Sequence, residues 1–501
     1  MFLIFYLRLA TFYCILSLVI KMKIDYERFI KPNLKQARKR VSNNTEYIKF
    51  SLDSKYAGLG QDKKYCLQTY GCQGNEADSE IMAGILEKMG FTSVEEAKDA
   101  DIVIINTCAI RENAEQRIWG ELGRLKQYKN TNPDLLLGVC GCMPQEEKVF
   151  NHILEKFPYV DIVFGTHNIY RLPEYIYEAY MNKERVLQVF SNEGAIIENL
   201  PHVRGNNRKA WVNIMYGCDE FCTYCIVPYT RGRERSRLPL DIIEEVQGLV
   251  RDGFYEITLL GQNVNAYGKD FKEVNYTFGD LLTDLDQTGI KRIRFTTSHP
   301  RDLDDKTIMA MANCKSVMPA IHLPVQSGNN EVLRRMNRKY TKEEYLVLID
   351  KLKKNIPGIS ITTDIIVAFP GETNEQFLDT LDLVDRVQYE GAFTFIYSPR
   401  EGTPAATYEN PMTEEEKHER LLELNKHIND GYLKGNQRFL GKTVKVLVDG
   451  ESKNDPSILA GYSEHNKLVN FKGDKSLIGQ IVNVKITEAK TWFLLGEYDG
   501  E

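Results

Sequence analysis

The chain has 501 residues, 43% of them hydrophobic and 27% charged, which suits an ordinary folded protein of roughly three domains at about 100–200 residues each. A formal net charge of −6 excludes a uniformly basic coat, so a polyanionic partner would have to be held by local patches. Ten cysteines are too sparse for a disulfide scaffold at this length, and where they cluster they point to metal or redox chemistry.

The opening stretch MFLIFYLRLATFYCILSLVI is apolar apart from Arg8 and long enough to span a bilayer. It lacks a basic leader and a small-residue cleavage site, which argues against a cleaved signal peptide. Three readings are left: a membrane anchor, a buried apolar helix, or a start upstream of the natural one. The last is favoured, because Met22 opens a polar stretch. Lys31, Lys35, Arg38, Lys39 and Arg40 would hold the remainder in the cytoplasm even next to an anchor. A cytoplasmic chain with no obligate membrane partner is therefore expected, with residues 1–62 an extension made of apolar 1–20 and a polar arm.

From residue 63, short apolar runs alternate with amphipathic stretches. KYCLQTYGC, ADIVIINTC and DLLLGVCGC each read as a buried strand ending in cysteine. The alternation predicts an N-terminal α/β domain over 63–182 with a parallel sheet covered on both faces. Ligands of such sheets gather at the carboxyl ends of strands. Cys72, Cys108 and Cys142 fall there, 36 and 34 residues apart, about one strand–helix unit each time, so the pattern predicts a three-cysteine site on one sheet edge. Cys66 and Cys140 lie inside the strands and read as small buried hydrophobes.

Residues 183–210 read as a polar linker. A second alternating series follows: AWVNIMYGC, YEITLLGQN, RIRFTTSHP, PAIHLPVQSG, ISITTDIIVAFPGE and GAFTFIYSPREG. Six strands with intervening helices predict a partial (β/α)6 barrel over 204–434, its active face at the strand ends. Gln262, Asn263, Ser298 and Glu372 sit at those ends and are candidate cofactor contacts, while His299 reads as structural. Over 437–500, short alternating strands with Gly turns predict a small antiparallel β-barrel. Its nine Lys/Arg against six Asp/Glu over 437–496, interleaved with Tyr462, Phe471 and Trp492, suit nucleic acid.

Cys218, Cys222 and Cys225 stand in a C-x3-C-x2-C spacing with no nearby histidine. Structural zinc usually takes four protein ligands. Three thiolates instead suit an iron–sulfur cubane with one iron left open for another ligand. Arg231, Arg233, Arg235 and Arg237 follow at once and read as phosphate contacts or as closure over a cofactor. A zinc-stabilised RNA-binding protein without catalysis is the rival from a different class.

These motifs, with TYGCQGNEADSE, NTCAIRENAE, GCMPQ, LPVQSGNNEVLRRMNRKYT and IYSPREGTPA, resemble the methylthiotransferase family of radical S-adenosylmethionine (SAM) enzymes over about residues 63–500. The resemblance implies a SAM-binding 4Fe-4S cluster on Cys218, Cys222 and Cys225, an auxiliary 4Fe-4S cluster on Cys72, Cys108 and Cys142, and a C-terminal TRAM domain that holds tRNA. It implies two SAM per turnover and methylthiolation of isopentenyl (dimethylallyl) adenosine in the tRNA anticodon stem-loop. The runner-up substrate is threonylcarbamoyl-adenosine in tRNA, and another relative acts on a ribosomal protein. A low-potential electron donor such as flavodoxin or ferredoxin, sulfur and cluster delivery proteins, and a monomeric state are expected with it. The chain departs from the family pattern at Gly74, where methionine is usual, and in residues 1–20, which have no counterpart.

Overall fold

The computed structural model describes residues 45–109, 112–190, 195–206, 208–272 and 274–500. The expectations for residues 1–20 and for a start at Met22 lie outside the described residues. The first elements are β1 (Tyr47–Lys49), β2 (Lys64–Tyr70), α1 (Gln73–Lys88), β3 (Thr92–Ser93), β4 (Ile102–Thr107), α2 (Glu112–Thr131) and β5 (Leu136–Gly141). They continue with α3 (Glu147–Lys156), β6 (Ile162–Phe164), α4 (Leu172–Asn182), β7 (Val186–Gln188) and β8 (Ile196–Glu198).

Strands β3-β2-β4-β5-β6-β7 form one parallel sheet in that order. Every residue of β4 and β5 is buried, as a sheet covered on both faces requires. Ile102 and Ile104 point to the face packed by α1 and α4, through Ile81, Ile85 and Ile176. Val103 and Ile105 point to the other face, against Ile118, Leu122 and Leu125 of α2 and Ile153 of α3. The period-2 alternation of one strand thus feeds two separate cores.

The segment 183–210 is more than the linker it resembles in composition. Val186–Gln188 is the last strand of the sheet, and β8 pairs in parallel with β1. Phe50, Leu52, Tyr56 and Leu59, in the stretch expected to be a polar arm, pack on the α1 side of the sheet. Strands of three residues carry too little periodicity to stand out from loop composition.

The central domain starts with β9 (Lys209–Asn213), β10 (Met215–Tyr216), α5 (Val227–Thr230), β11 (Arg235–Ser236), α6 (Pro239–Arg251), β12 (Glu256–Leu260), α7 (Phe278–Asp286), β13 (Arg292–Phe295) and α8 (Asp305–Asn313). It continues with β14 (Ala320–His322), α9 (Asn330–Arg335), α10 (Lys342–Asn355), β15 (Ser360–Val367), α11 (Asn374–Val387), β16 (Ala392–Ile396) and α12 (Glu414–Gln437). Two three-stranded parallel sheets, β9-β12-β13 and β14-β15-β16, lie side by side, joined by the bridge Ile293–Val317. The six strands run in chain order, as a partial barrel demands. One core joins Val212, Ile257, Leu259, Ile293, Ile321, Ile361 and Ile365 of the strands to Val246, Leu281, Ile349 and Leu383 of the helices.

Strands β17 (Thr443–Ser452), β18 (Asp455–Ser463), β19 (Leu468–Lys472), β20 (Ile481–Ala489) and β21 (Leu494–Tyr498) close into a small barrel in the order β17-β18-β19-β21-β20. Its pairings are antiparallel except β19 with β21, which run parallel, a departure from the wholly antiparallel barrel expected. Arg292 donates to the carbonyls of Tyr462 (3.0 Å) and Lys445 (2.9 Å), and Arg294 to that of Ser463 (2.7 Å). These side chains fasten the small barrel to β13. No helix among the described residues is long and apolar enough to cross a membrane.

Candidate active site

Cys72 caps the N-terminus of α1 directly after β2, Cys108 follows β4, and Cys142 follows β5. Because β2, β4 and β5 are neighbours, the three thiols share one sheet edge. Two buried amides fix their spacing. Asn75 donates to Asn106 Oδ1 (3.0 Å) and to the Thr107 carbonyl (3.1 Å), and Asn106 returns a bond to the Asn75 carbonyl (2.8 Å). Gly141, at φ +100°, is required before Cys142: a Cβ there would lie 2.3 Å from the Thr107 carbonyl oxygen. A hydrogen bond from Cys108, with the guanidinium of Arg231 and the backbone N–H groups of Asn75 and Gly74, outweighs burial and brings the Cys72 thiol down to about 5. Burial pushes the Cys142 thiol up. Cys66 and Cys140 are buried inside the strands. A Cβ at Gly74 would be in ordinary contact with Cys72 Sγ at 3.6 Å, so the departure there removes no donor.

The second triad lies on the loop between β10 and α5. Gly217 has φ +78°, and a Cβ on it would stand 2.0 Å from the Arg233 carbonyl oxygen. Cys218 donates its N–H to Gly232 (3.1 Å) and Cys225 its N–H to Cys222 (3.0 Å). Asn337, itself left-handed at φ 60°, donates to the carbonyls of Glu220 (3.1 Å) and Phe221 (2.9 Å), and Thr223 donates to that of Arg335 (2.9 Å). Burial raises the Cys218 thiol and pushes Cys225 up to about 12. Arg338, fully enclosed, points one amine at Cys222 Sγ (3.6 Å). Asn75, Asn106, Asn337 and Arg338 all fall in the quoted motifs, yet no local pattern marks which polar residue will turn inward.

The segments that carry the two triads pack on each other. Ala109 and Cys142 form one buried cluster with Phe221, Ile226 and Tyr229 of the second loop and α5. Arg231, just past α5, donates from Nε to Cys142 Sγ (3.2 Å) and from Nη2 to Asp78 (2.8 Å). Gln262 accepts the Gly217 N–H (2.6 Å), which places it beside Cys218, and Asn263 donates to Asp302 (2.6 Å). Ser298 is buried with a hydroxyl that has no partner. Burial, reinforced by Asp219, pushes Glu234 up to about 8. A cavity of about 1140 Å³ runs from Thr69 and Gln73 on the N-terminal domain through Trp211, His322 and Phe393 of the central barrel to Tyr462 of the small one.

The other candidates have partners within the fold. Arg231 and Arg237 are buried in ion pairs, Arg231 with Asp78 and Arg237 with Glu198 and Glu245. Arg233 pairs with Asp219, and Arg235 lies over the Tyr216 ring. Glu372 accepts from the Ala368 N–H (2.8 Å) and from Arg420 (2.9 Å), a bond set that braces its own loop against α12. Phe471 belongs to the core of the small barrel, while Trp492 is 64% exposed.

Three thiols at each triad are a donor set of the kind that suits an iron–sulfur cluster. Ligands of a tetrahedral zinc at ~2.3 Å stand roughly 3.8 Å apart. In neither triad do all three sulfurs lie within 4.8 Å of one another; among the described residues only Glu220, His299 and Asp302 offer three ligand atoms that close. Lys269 and Arg301 already pair with those two carboxylates.

Residues 64–165 match the uncharacterized protein family UPF0004, 212–384 the radical SAM superfamily and 437–498 the TRAM domain. A tRNA-2-methylthio-N(6)-dimethylallyladenosine synthase of Anoxybacillus flavithermus is 58% identical over 95% of this chain and 92% of its own length. The same-named protein of Bacillus subtilis is 56% identical over 96% of both chains. The chain belongs to the tRNA-2-methylthio-N(6)-dimethylallyladenosine synthase family. Among solved structures, the radical S-adenosylmethionine methyltransferase TsrM from Kitasatospora setae, with cobalamin and a [4Fe-4S] cluster bound, aligns at a TM-score of 0.52 with 13% identity over 69% of this chain and 77% of that one. That likeness is one of fold. For a member of this synthase family, the central partial barrel is the radical SAM domain and the small closed barrel the TRAM domain.

Proposed function

We propose that this chain converts N(6)-isopentenyl (dimethylallyl) adenosine beside the tRNA anticodon into its 2-methylthio derivative, with Cys218, Cys222 and Cys225 holding a SAM-binding cluster and Cys72, Cys108 and Cys142 an auxiliary one. The observation that supports this reading is the packing of Cys142 against Phe221, Ile226 and Tyr229, residues of the segment that carries the second triad. Two 4Fe-4S clusters, with SAM used twice per turnover, would supply hydrogen abstraction at carbon 2 and the sulfur that replaces it, chemistry beyond any side chain.

The protein's part is binding and orientation. Three thiols at each site leave a coordination position for a ligand other than protein. Gln262 fixes the Gly217 turn that presents Cys218, and Asn263 and the Ser298 hydroxyl are polar groups offered to SAM. Burial of the interface keeps water from the reacting atoms. Anticodon-loop bases are accessible enough to be extruded toward the interface of the N-terminal and central domains, with Trp492 and the basic strands of the TRAM barrel on the RNA outside. The reading carries with it a cytoplasmic, monomeric enzyme served by a low-potential electron donor such as flavodoxin or ferredoxin and by sulfur and cluster delivery proteins.

Anaerobic reconstitution tests it. About eight irons per chain are expected from two four-iron clusters, and Cys222→Ala should retain about four and cleave no SAM. Nucleoside analysis of tRNA from a deletion strain should show isopentenyladenosine without its methylthio derivative. Stoichiometric zinc with no iron uptake, or unaltered methylthio-isopentenyladenosine, would overturn the proposal.

A further inference from the structure

Arg231 belongs to the central domain, yet both of its polar partners belong to the N-terminal one. Nε donates to Cys142 Sγ at 3.2 Å and Nη2 to Asp78 Oδ2 at 2.8 Å. The side chain is enclosed, and a guanidinium in such a place requires anions around it. Its reach extends across the triad, since a Cβ on Gly74 would lie 3.6 Å from Cys72 Sγ and 3.8 Å from Arg231 Nη2. The N-terminal domain also grips the backbone that delivers it: Thr166 donates to the Thr230 carbonyl at 2.8 Å and Gln145 to the same oxygen at 3.4 Å.

We propose that Arg231 is a positioning residue that completes the auxiliary site across the domain boundary, its guanidinium held by Asp78 and donating to the Cys142 sulfur so as to set the reduction potential of the cluster there. The inference rests on the two-cluster reading above. Hydrogen bonds to cluster sulfurs and nearby charge tune such potentials. A reduced cluster carries one more negative charge than an oxidised one, so a cation at the sulfur favours the electron's arrival. Asp78 works against it by neutralising part of the guanidinium. The pair therefore predicts two substitutions of opposite sign, which a purely structural role for Arg231 does not.

The test uses the full-length chain with Cys218, Cys222 and Cys225 all changed to Ala, so that the auxiliary cluster is the one observed. Iron content and the one-electron midpoint potential, by dye-mediated dithionite titration followed by electron paramagnetic resonance, are compared across three added substitutions. Arg231→Gln should weaken reduction about tenfold, a fall of about 59 mV for one electron. Asp78→Asn should raise the potential, and Arg231→Lys should stay nearer the parent than Gln does. If Arg231→Gln takes up no iron, the sign for Asp78→Asn still decides, an unchanged or lowered potential there overturning the inference. Equal potentials throughout, or shifts of the same sign for Arg231→Gln and Asp78→Asn, would sink the inference while leaving the two-cluster reading intact. A parent chain without iron would overturn that reading itself, and the inference with it.

Discussion

Replacing Arg237 by alanine strikes the joint between the N-terminal and central domains. The guanidinium donates to both oxygens of Glu198 (2.9 and 2.5 Å), to the Asn213 carbonyl (2.7 Å) and to Glu245 (2.8 Å). Its side chain is 9% exposed and that of Glu198 only 2%. Glu245 keeps a second cation, Arg204 at 2.8 Å, whereas the Glu198 carboxylate loses the whole of its compensation. Stripping one partner from a buried pair costs about 3–5 kcal/mol, most of it for the charge left behind. At about 2–4 °C per kcal/mol for domains of this size, the melting temperature should fall by roughly 6–20 °C. Scanning calorimetry on the apoprotein reads this directly. Arg237→Leu combined with Glu198→Leu should recover most of the loss, because a well-packed apolar pair replaces the buried ions at little net cost. The salt dependence of tRNA binding should be unchanged, while a residue contacting phosphate would lower the slope by about one. A melting temperature within about 2 °C of the parent, or a reduced salt slope, would refute the structural role and restore the phosphate reading.

Gly217→Ala should cost the SAM-binding cluster, because the new Cβ would meet the Arg233 carbonyl at 2.0 Å in a backbone of φ +78°; iron should drop from about eight to about four per chain with the auxiliary signal retained. Arg292→Ala removes the two bonds to the carbonyls of Tyr462 and Lys445. It should loosen the TRAM barrel, seen as faster proteolytic release and weaker tRNA binding, with SAM cleavage in the absence of tRNA maintained. Glu234 holds its proton to about pH 8 in the fold, against 4.5 as the ordinary carboxyl value. Between those limits the unfolded chain binds fewer protons, so stability falls as pH rises, on the order of 3 kcal/mol. Glu234→Gln should flatten that slope in denaturant titrations of the apoprotein at pH 5 and 8.5, and an equally steep slope would reject the assignment.

Much of the architecture is written locally. The apolar runs ending at Cys72, Cys108 and Cys142, spaced by one strand–helix unit, lead to neighbouring strands because parallel connections are short and their strands adjacent. The C-x3-C-x2-C loop and six strand-end motifs lead likewise to a partial barrel with its polar edge at one end. What escaped were the short strands β7 and β8, whose three residues resemble loop composition, and the destinations of the arginines after Cys225.

Covalent spacing and hydrophobic period, both properties of consecutive residues, already determined which thiols lie at strand ends and which faces are apolar. Whether Arg231 and Arg237 meet RNA or a buried acid depended on Asp78 and Glu198, which lie 153 and 39 residues away along the chain. Long-range charge pairing leaves no periodic trace in sequence. Only the docking of one domain on another decided it, because an enclosed guanidinium is tolerated where the tertiary fold supplies its counter-charge.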